Sequence, residues 1–361
     1  MTAYQWIDND RDLADRLPAL QAAERLYVDT EFMRERTYFA HLALVQINDG
    51  SSNLLVDPTL LEDRAPLAEL LAARPVVLHA CSEDIQALKA WGGQAPGQLE
   101  DTQLAAALCG HDLQSGYQRL VKALLDVDVP KDATRTNWLQ RPLSDSQLSY
   151  AVLDVHHLPA LYETLIASLD ALGRRAWFEE ECARLLSDAV EEVAPEDLWR
   201  SVKGAAWADA PARARLQLLA AWRDGAARTR DLPRSFVIKD DVLMALAQQA
   251  PTTTSQLREL GLHPSAARRN GEELLQMIAG ADTASAPAAL PGPPDNAQKS
   301  RVKRLRARVN ELAKGLELGP EVLARRRWLE ALARDPDKPV APLTGWRKSV
   351  VLDPLLEVID G

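Results

Sequence analysis

Long apolar runs are missing from this chain, cysteines are few, and positive charge falls short of negative. No stretch approaches the roughly 20 uncharged apolar residues that a membrane span needs, so no membrane partner is expected. The 361 residues include three cysteines, Cys81, Cys109 and Cys182. Their number is odd, and their spacing forms neither a disulfide framework nor a CxxC zinc site. The opening residues, MTAYQWIDNDRDL, are acidic and lack the basic start and apolar stretch of a signal peptide. A reducing, cytoplasmic location is the expectation. Lys and Arg number 42 against 52 Asp and Glu, a net charge of −10. That shortage of cations disfavours a polyanion partner, because phosphate binding favours a basic surface. The charge is uneven, however: residues 299–361 carry a net +5 and residues 1–298 a net −15. A basic C-terminal module on an acidic body keeps a polyanion partner in play.

What is present is ordinary globular material. Apolar residues make up 47% and charged residues 26%, and the length suggests two or three domains. Leu26–Val28 reads as a short strand ending at Asp29. The runs LALVQI (42–47) and NLLV (53–56) follow with little between them, so the three must be hairpin-connected and antiparallel. A helix near 61–73, a strand at 76–78 and a helix opened by Ser82 as N-cap come next. Further helices fit 101–109 and 115–125. A longer one is expected over about 145–169, with Ser144 and Gln147 at capping-box spacing. Strands first, then strand–helix alternation, imply a mixed sheet flanked by helices. From about 178 the strand signal is lost. Residues 213–279 read as short helices, and 280–298 (GADTASAPAALPGPPDNAQ) as a linker. Residues 299–361 read as a second helical unit.

The residues that carry chemistry are acids. In Asp29-Thr30-Glu31 the two carboxylates lie two apart on a strand and so point to one face. Burying adjacent like charges costs several kcal/mol unless something neutralises them, and a divalent cation does so. Tyr150 and Asp154 lie four apart on a helix and share one of its faces. A phenol beside a carboxylate can orient or deprotonate a metal-bound water. Asp84 sits in the first turn of a helix after the apolar strand VVLHA. Read singly, each acid has an ordinary explanation: a solvated strand end, a helix surface, or a first-turn acid that suits the helix dipole.

Together they resemble something known. LYVDTEF, VVLHACSEDIQAL and LSYAVLDVHHL are similar to the three exonuclease motifs of the DEDD superfamily. Tyr150, four residues before Asp154, resembles its tyrosine subclass. The histidine subclass places His five residues before the last acid, where this chain has Ser149. His156 and His157 follow Asp154 and cannot fill that role. TRTNWLQRPLSDSQLSYAVLDVHHLPALY and DTQLAAAL (101–108) resemble the ribonuclease D family. Residues 215–279, with AAWRDGAARTRDLPRSFVIKDDVLMALA and RRNGEELL, resemble the helicase-and-ribonuclease-D C-terminal (HRDC) domain. The last unit, with LGPEVLARRRWLEAL and LTGWRK, looks like a second, diverged copy.

The resemblance implies an α/β ribonuclease H-like exonuclease domain over 1–178 and connecting helices over 179–212. It implies a first HRDC domain over 213–280, a Pro/Ala-rich linker over 281–298, and a second HRDC-like domain over 299–361. It also implies a 3′→5′ exoribonuclease using two divalent cations, Mg²⁺ or Mn²⁺. In that scheme Asp29 bridges both cations, and Glu31 and Asp154 hold the one that generates hydroxide. Asp84 supports the second, and Tyr150 positions the attacking water. The partner implied is RNA, above all tRNA precursors with 3′ extensions; no obligate protein partner is inferred. Lys131, Trp138 and Arg141 are placed by the resemblance near the active-site rim. Lys299, Arg301, Lys303, Arg304, Arg306 and Arg308 crowd into ten residues without an acid and resemble a phosphate-binding face. The Trp residues 199, 207, 222, 328 and 346 are expected in cores. Two other readings fit the same motifs: a 3′→5′ DNA exonuclease, and a non-catalytic RNA-binding protein on this scaffold.

Overall fold

The computed structural model describes residues 2–130 and 136–359, whose contacts form two compact units. The first combines residues up to Met33 with residues 40–190 and those from Pro294 onward. The second holds Arg34–Phe39 and Glu191–Pro293.

The first unit begins β1 (Gln5–Ile7), α1 (Asp10–Ala22), β2 (Leu26–Met33), β3 (His41–Asn48) and β4 (Asn53–Val56). It continues α2 (Ala65–Ala73), β5 (Pro75–Leu78), α3 (Ser82–Gly92) and β6 (Gln98–Asp101). Then come α4 (Thr102–Leu108), α5 (Tyr117–Leu125), α6 (Asp145–His156), α7 (Leu158–Ala171) and α8 (Arg175–Val190). The strands form one mixed sheet in the order β1-β4-β3-β2-β5-β6. The meander β2-β3-β4 is antiparallel, as its short connections require, and β1, β5 and β6 join in parallel. Near-continuous apolar runs such as LALVQI suit strands covered on both sides. Val28, Val45 and Ile47 pack on one face with Leu13 and Leu20 of α1, Leu67 of α2 and Ile85 of α3. Leu44 and Leu55 face Ala151 and Val152 of α6 on the other. Each such burial stabilises the fold by about 1.5–3 kcal/mol.

Three local expectations change. The strand that seemed to end at Asp29 runs on to Met33, because β3 pairs with it to the end while β5 leaves it after Tyr27. The helix expected over 145–169 is two helices. Pro159 lacks the N–H that would bond the Val155 carbonyl, and its ring clashes there, so α6 stops and α7 restarts with Pro159 in its first turn. Cys81, not Ser82, occupies the N-cap of α3 and gives no side-chain cap. The capping box of Ser144 and Gln147 is present as read. The structure adds α1, β1 and β6 to the expected elements; β1 is only three residues long.

The second unit is helical: α9 (Ala210–Arg230), α10 (Arg234–Val237), α11 (Asp240–Gln249), α12 (Thr254–Glu259) and α13 (Pro264–Ala279). Its core gathers Leu198, Trp199, Leu216, Leu219, Leu243, Leu246, Leu257 and Leu274. Trp207, expected inside, is 74% exposed, because its short 3₁₀ turn buries only Ala205.

The chain then returns to the first unit with α14 (Asn296–Leu316), α15 (Pro320–Leu323), α16 (Arg326–Arg334) and α17 (Asp353–Leu356). Leu305, Val309, Leu329, Leu332 and Leu355 share one core with Leu108, Leu161, Leu165 and Phe178. A buried polar latch adds direction. Arg347 pairs with Glu181 and donates to the Val322 and Leu323 carbonyls at 2.7 and 3.0 Å. The Trp346 indole donates to Glu181 at 2.9 Å and stacks on Trp177. Gly345 has φ +61°, and an added Cβ would lie 1.8 Å from the Glu180 carboxylate. By contacts, then, 299–361 groups with the sheet-bearing unit rather than standing apart as a linear module.

Candidate active site

The site forms where β2 overhangs β5. Asp29 and Glu31 alternate with Val28 and Thr30 along β2, so both carboxylates point to the face that α6 covers. Just beyond Glu31 the β2–β3 register slips: Glu31 opposes Leu44 and Phe32 opposes Leu42, leaving Ala43 as the extra residue of a bulge. Asp154 comes down from α6, fixed by the Ser144–Gln147 box at that helix's start. One oxygen each from Asp29, Glu31 and Asp154 lies within 4.8 Å of the others. All three residues are partly open to solvent. Asp84, buried in the first turn of α3, accepts from the Thr30 hydroxyl at 2.5 Å.

The electrostatics report the crowding. Burial, then repulsion from Asp154, Asp84 and Glu31, holds the Asp29 carboxyl well above the carboxylate range. Burial and the charges of Asp154 and Asp84 push Glu31 up to about 9. Burial raises Asp84 to about 6 against the opposing Thr30 hydrogen bond. It raises Asp154 to about 7 against a hydrogen bond from Tyr150. The Tyr150 phenol is itself pushed upward by burial and by Asp154, Glu31 and Asp29. At neutral pH it is therefore a proton donor. The Asp154 Oδ2 has no hydrogen-bond partner among the described residues. Hard carboxylate oxygens converging with one of them unsatisfied fit a divalent cation, which would relieve the repulsion.

Among the described residues, the other expected ones sit outside the acid cluster itself. Trp138 is 2% exposed and backs Tyr150, ring centroids 6.1 Å apart. The Arg141 guanidinium pairs with buried Asp57 and donates to the Trp138, Gln140 and Ala43 carbonyls, the last at the bulge. Lys303 is exposed on α14, while Arg304 donates to the Val358 and Ile359 carbonyls. Lys131 lies outside the described residues. His156 is exposed and His157 sits at the junction of α6 and α7.

One residue beyond those expected shapes the site. Asp101 is 2% exposed and ends β6. Its carboxylate accepts from the backbone N–H of Ala80, Cys81 and Gln103 at 3.1, 3.1 and 2.7 Å. It thereby caps α4 and holds the turn that launches α3, where Ala80 takes a left-handed φ of +58°. An acid directly before the helical run TQLAAAL was the available signal.

A carboxylate cluster with an attendant phenol at the end of a mixed sheet defines the class: a nuclease hydrolase with a 3′-5′ exonuclease domain. The family model described as 3'-5' exonuclease matches residues 4–170, and that described as HRDC domain matches 212–278. The curated ribonuclease D of Pseudomonas paraeruginosa is 39% identical, the match covering 99% of this chain and 97% of that protein. The ribonuclease D of Escherichia coli K12 is 33% identical, over 98% and 97%. The crystal structure of E. coli RNase D, described as an exoribonuclease involved in structured RNA processing, superposes with a TM-score of 0.89. That match covers 99% of both chains at 32% identity. The chain belongs to the ribonuclease D family.

Proposed function

We propose that this enzyme trims the 3′ ends of structured RNAs, tRNA precursors with 3′ extensions above all, and releases nucleoside 5′-monophosphates. The observation that carries this reading is the convergence of Asp29, Glu31 and Asp154 within 4.8 Å, with Tyr150 one helical turn before the last on α6. Two divalent cations, Mg²⁺ or Mn²⁺, would be shared through Asp29, with Glu31 and Asp154 on one and Asp84 on the other. Cations so held neutralise charge on the attacking and leaving oxygens and lower the pKa of a bound water. Around them the side chains orient and hold. The protonated Tyr150 hydroxyl fixes the line of attack, Thr30 aims Asp84, and Trp138 keeps Tyr150 from retreating.

RNA is preferred over DNA because the relatives at 33–39% identity are ribonucleases D. For the grip on RNA, Lys299, Lys303 and Arg306 are exposed at one-face spacing on α14. Arg301, Arg304 and Arg308 of the same run are engaged with Ala333, Val358, Ile359 and Glu311. Residues 299–361 are read as a diverged HRDC module, and the enzyme as a cytoplasmic one needing no obligate protein partner. Among the described residues no helix is long and apolar enough to cross a membrane.

The test is a nucleotide-resolution digestion of a 3′-extended tRNA precursor with Mg²⁺ or Mn²⁺, beside matched RNA and DNA oligonucleotides. Single-nucleotide shortening from the 3′ end, confined to RNA and abolished by chelation, is the expected result. Equal degradation of DNA would refute the RNA assignment, since an enzyme reading the sugar discriminates through the 2′-OH.

A further inference from the structure

Gln46 is a fully buried polar side chain with nothing to bond to. It is 0% exposed, and neither its Nε2 nor its Oε1 has a hydrogen-bond partner among the described residues. Buried side-chain amides in folded proteins are overwhelmingly hydrogen-bonded, so an amide orphaned at both ends calls for a reason. Its position supplies one. Gln46 is the direct antiparallel partner of Asp29. Residues directly opposite point to the same face, with Cβ atoms about 4.5–5.5 Å apart. The Gln46 side chain therefore leaves β3 on the same face as the Asp29 carboxylate, the face that α6 covers. The neighbours of Gln46 on that face of β3 are both accounted for. Leu44 joins the apolar cluster with Ala151 and Val152, and Asn48 donates to Asn53 at 2.8 Å. A second orphan belongs to the same place: the Asp154 Oδ2, on the helix above.

We infer that Gln46 is a positioning residue of the metal site, its side-chain amide donating to an oxygen of the hydrated divalent cation held at Asp29. The inference rests on the metal-site reading above and deepens it. The four acids are acceptors only once ionised, so they cannot orient one another's oxygens. A neutral amide with two N–H donors can, and it adds no further charge to a cluster already crowded with like charge. Groups that orient metal ligands and bound waters from just outside typically change metal affinity by about 10–100-fold when removed.

The test uses the full chain and two variants, read by Mn²⁺ titration followed by electron paramagnetic resonance and by thermal melts of the metal-free protein. Gln46→Met keeps the volume and removes the hydrogen bonds. Its Mn²⁺ affinity is expected to fall about tenfold or more. Its metal-free melting temperature should hold or rise, since a buried orphan amide is gone, and the upward shift on adding Mn²⁺ should shrink. Unchanged Mn²⁺ affinity in Gln46→Met overturns the inference. So does a large loss of metal-free stability with affinity intact, which would mean that Gln46 serves only the packing of the sheet. If the unmutated protein binds no Mn²⁺, or if Asp29→Asn binds it equally well, the metal-site reading itself fails. Should Gln46→Met not fold, the Gln46 side-chain NH₂ resonance of the unmutated protein decides. It should move on adding Mg²⁺, and a resonance that stays put refutes the role.

Discussion

Asp29, Glu31, Asp84 and Asp154 each keep a proton in the folded, metal-free protein at pH values where an unfolded chain has lost it. Ordinary carboxyls titrate near 3.8 and 4.5, whereas Asp84, Asp154 and Glu31 sit near 6, 7 and 9. The folded state thus binds more protons across this window, so stability falls as pH rises from about 4 toward 9. Melts in a chelator should show that decline, and saturating Mg²⁺ should flatten it; a metal-free profile that rises with pH would contradict the clustering. The same repulsion makes Asp29→Asn informative. Hydrolysis should vanish while the metal-free melting temperature holds or rises, because a crowded, buried carboxyl no longer has to ionise. Tyr150→Phe should lower kcat about 10²-fold with Mn²⁺ affinity little changed, the result expected of the proposed orienting role. At this scale the convergence of the acids was legible in the sequence. DTE, Asp84 and the Tyr150–Asp154 pair all arrive at one end of the sheet. Residues whose roles depend on a neighbour across the sheet were not legible. Gln46 sits in an apolar run and Arg141 precedes a proline, and neither spacing reveals what lies opposite.

Elements place these residues, and their ends matter more than their middles. The turn from β5 into α3 carries no capping side chain of its own and depends on Asp101 from the next strand. Asp101→Ala removes the α4 cap, about 1 kcal/mol, and strands the buried Cys81 N–H, about 1–3 kcal/mol. A loss of about 2–4 kcal/mol in denaturant unfolding is expected, with weaker Mn²⁺ binding because Asp84 rides on the loosened turn. Asp101→Asn, which keeps one acceptor, should lose less. Periodicity located most of these elements, but not where they stop. The break at Pro159 and the passage of β2 beyond Asp29 follow from one missing N–H and from which partner strand continues. A propensity window averages over both.

For the molecule as a whole, the C-terminal helices are held by a buried charge rather than by apolar contact alone. Arg347 is 3% exposed and sits against Glu181, 5% exposed. Arg347→Met should cost less than the ~3–5 kcal/mol of a buried charge left alone, because Arg184 still pairs with Glu181. Adding Glu181→Leu should recover much of that loss, as a double-mutant unfolding series would show. Additive losses would mean that the pair is not coupled. Nothing in the sequence announces this union. The Ala/Pro/Gly-rich stretch before Asn296 reads as a divider, and only the shared core of Leu305, Leu329 and Leu355 with Leu161 and Phe178 shows what it connects.

That union sets an order of events during synthesis. The sheet, α3 and α6, and with them every acid of the site, leave the ribosome before Val190. The helices that complete their core come only after Pro294. At about 5–20 residues per second, the remainder of the chain takes roughly 10–35 s to emerge. Through that interval the nascent chain lacks part of the core that surrounds Leu161 and Phe178.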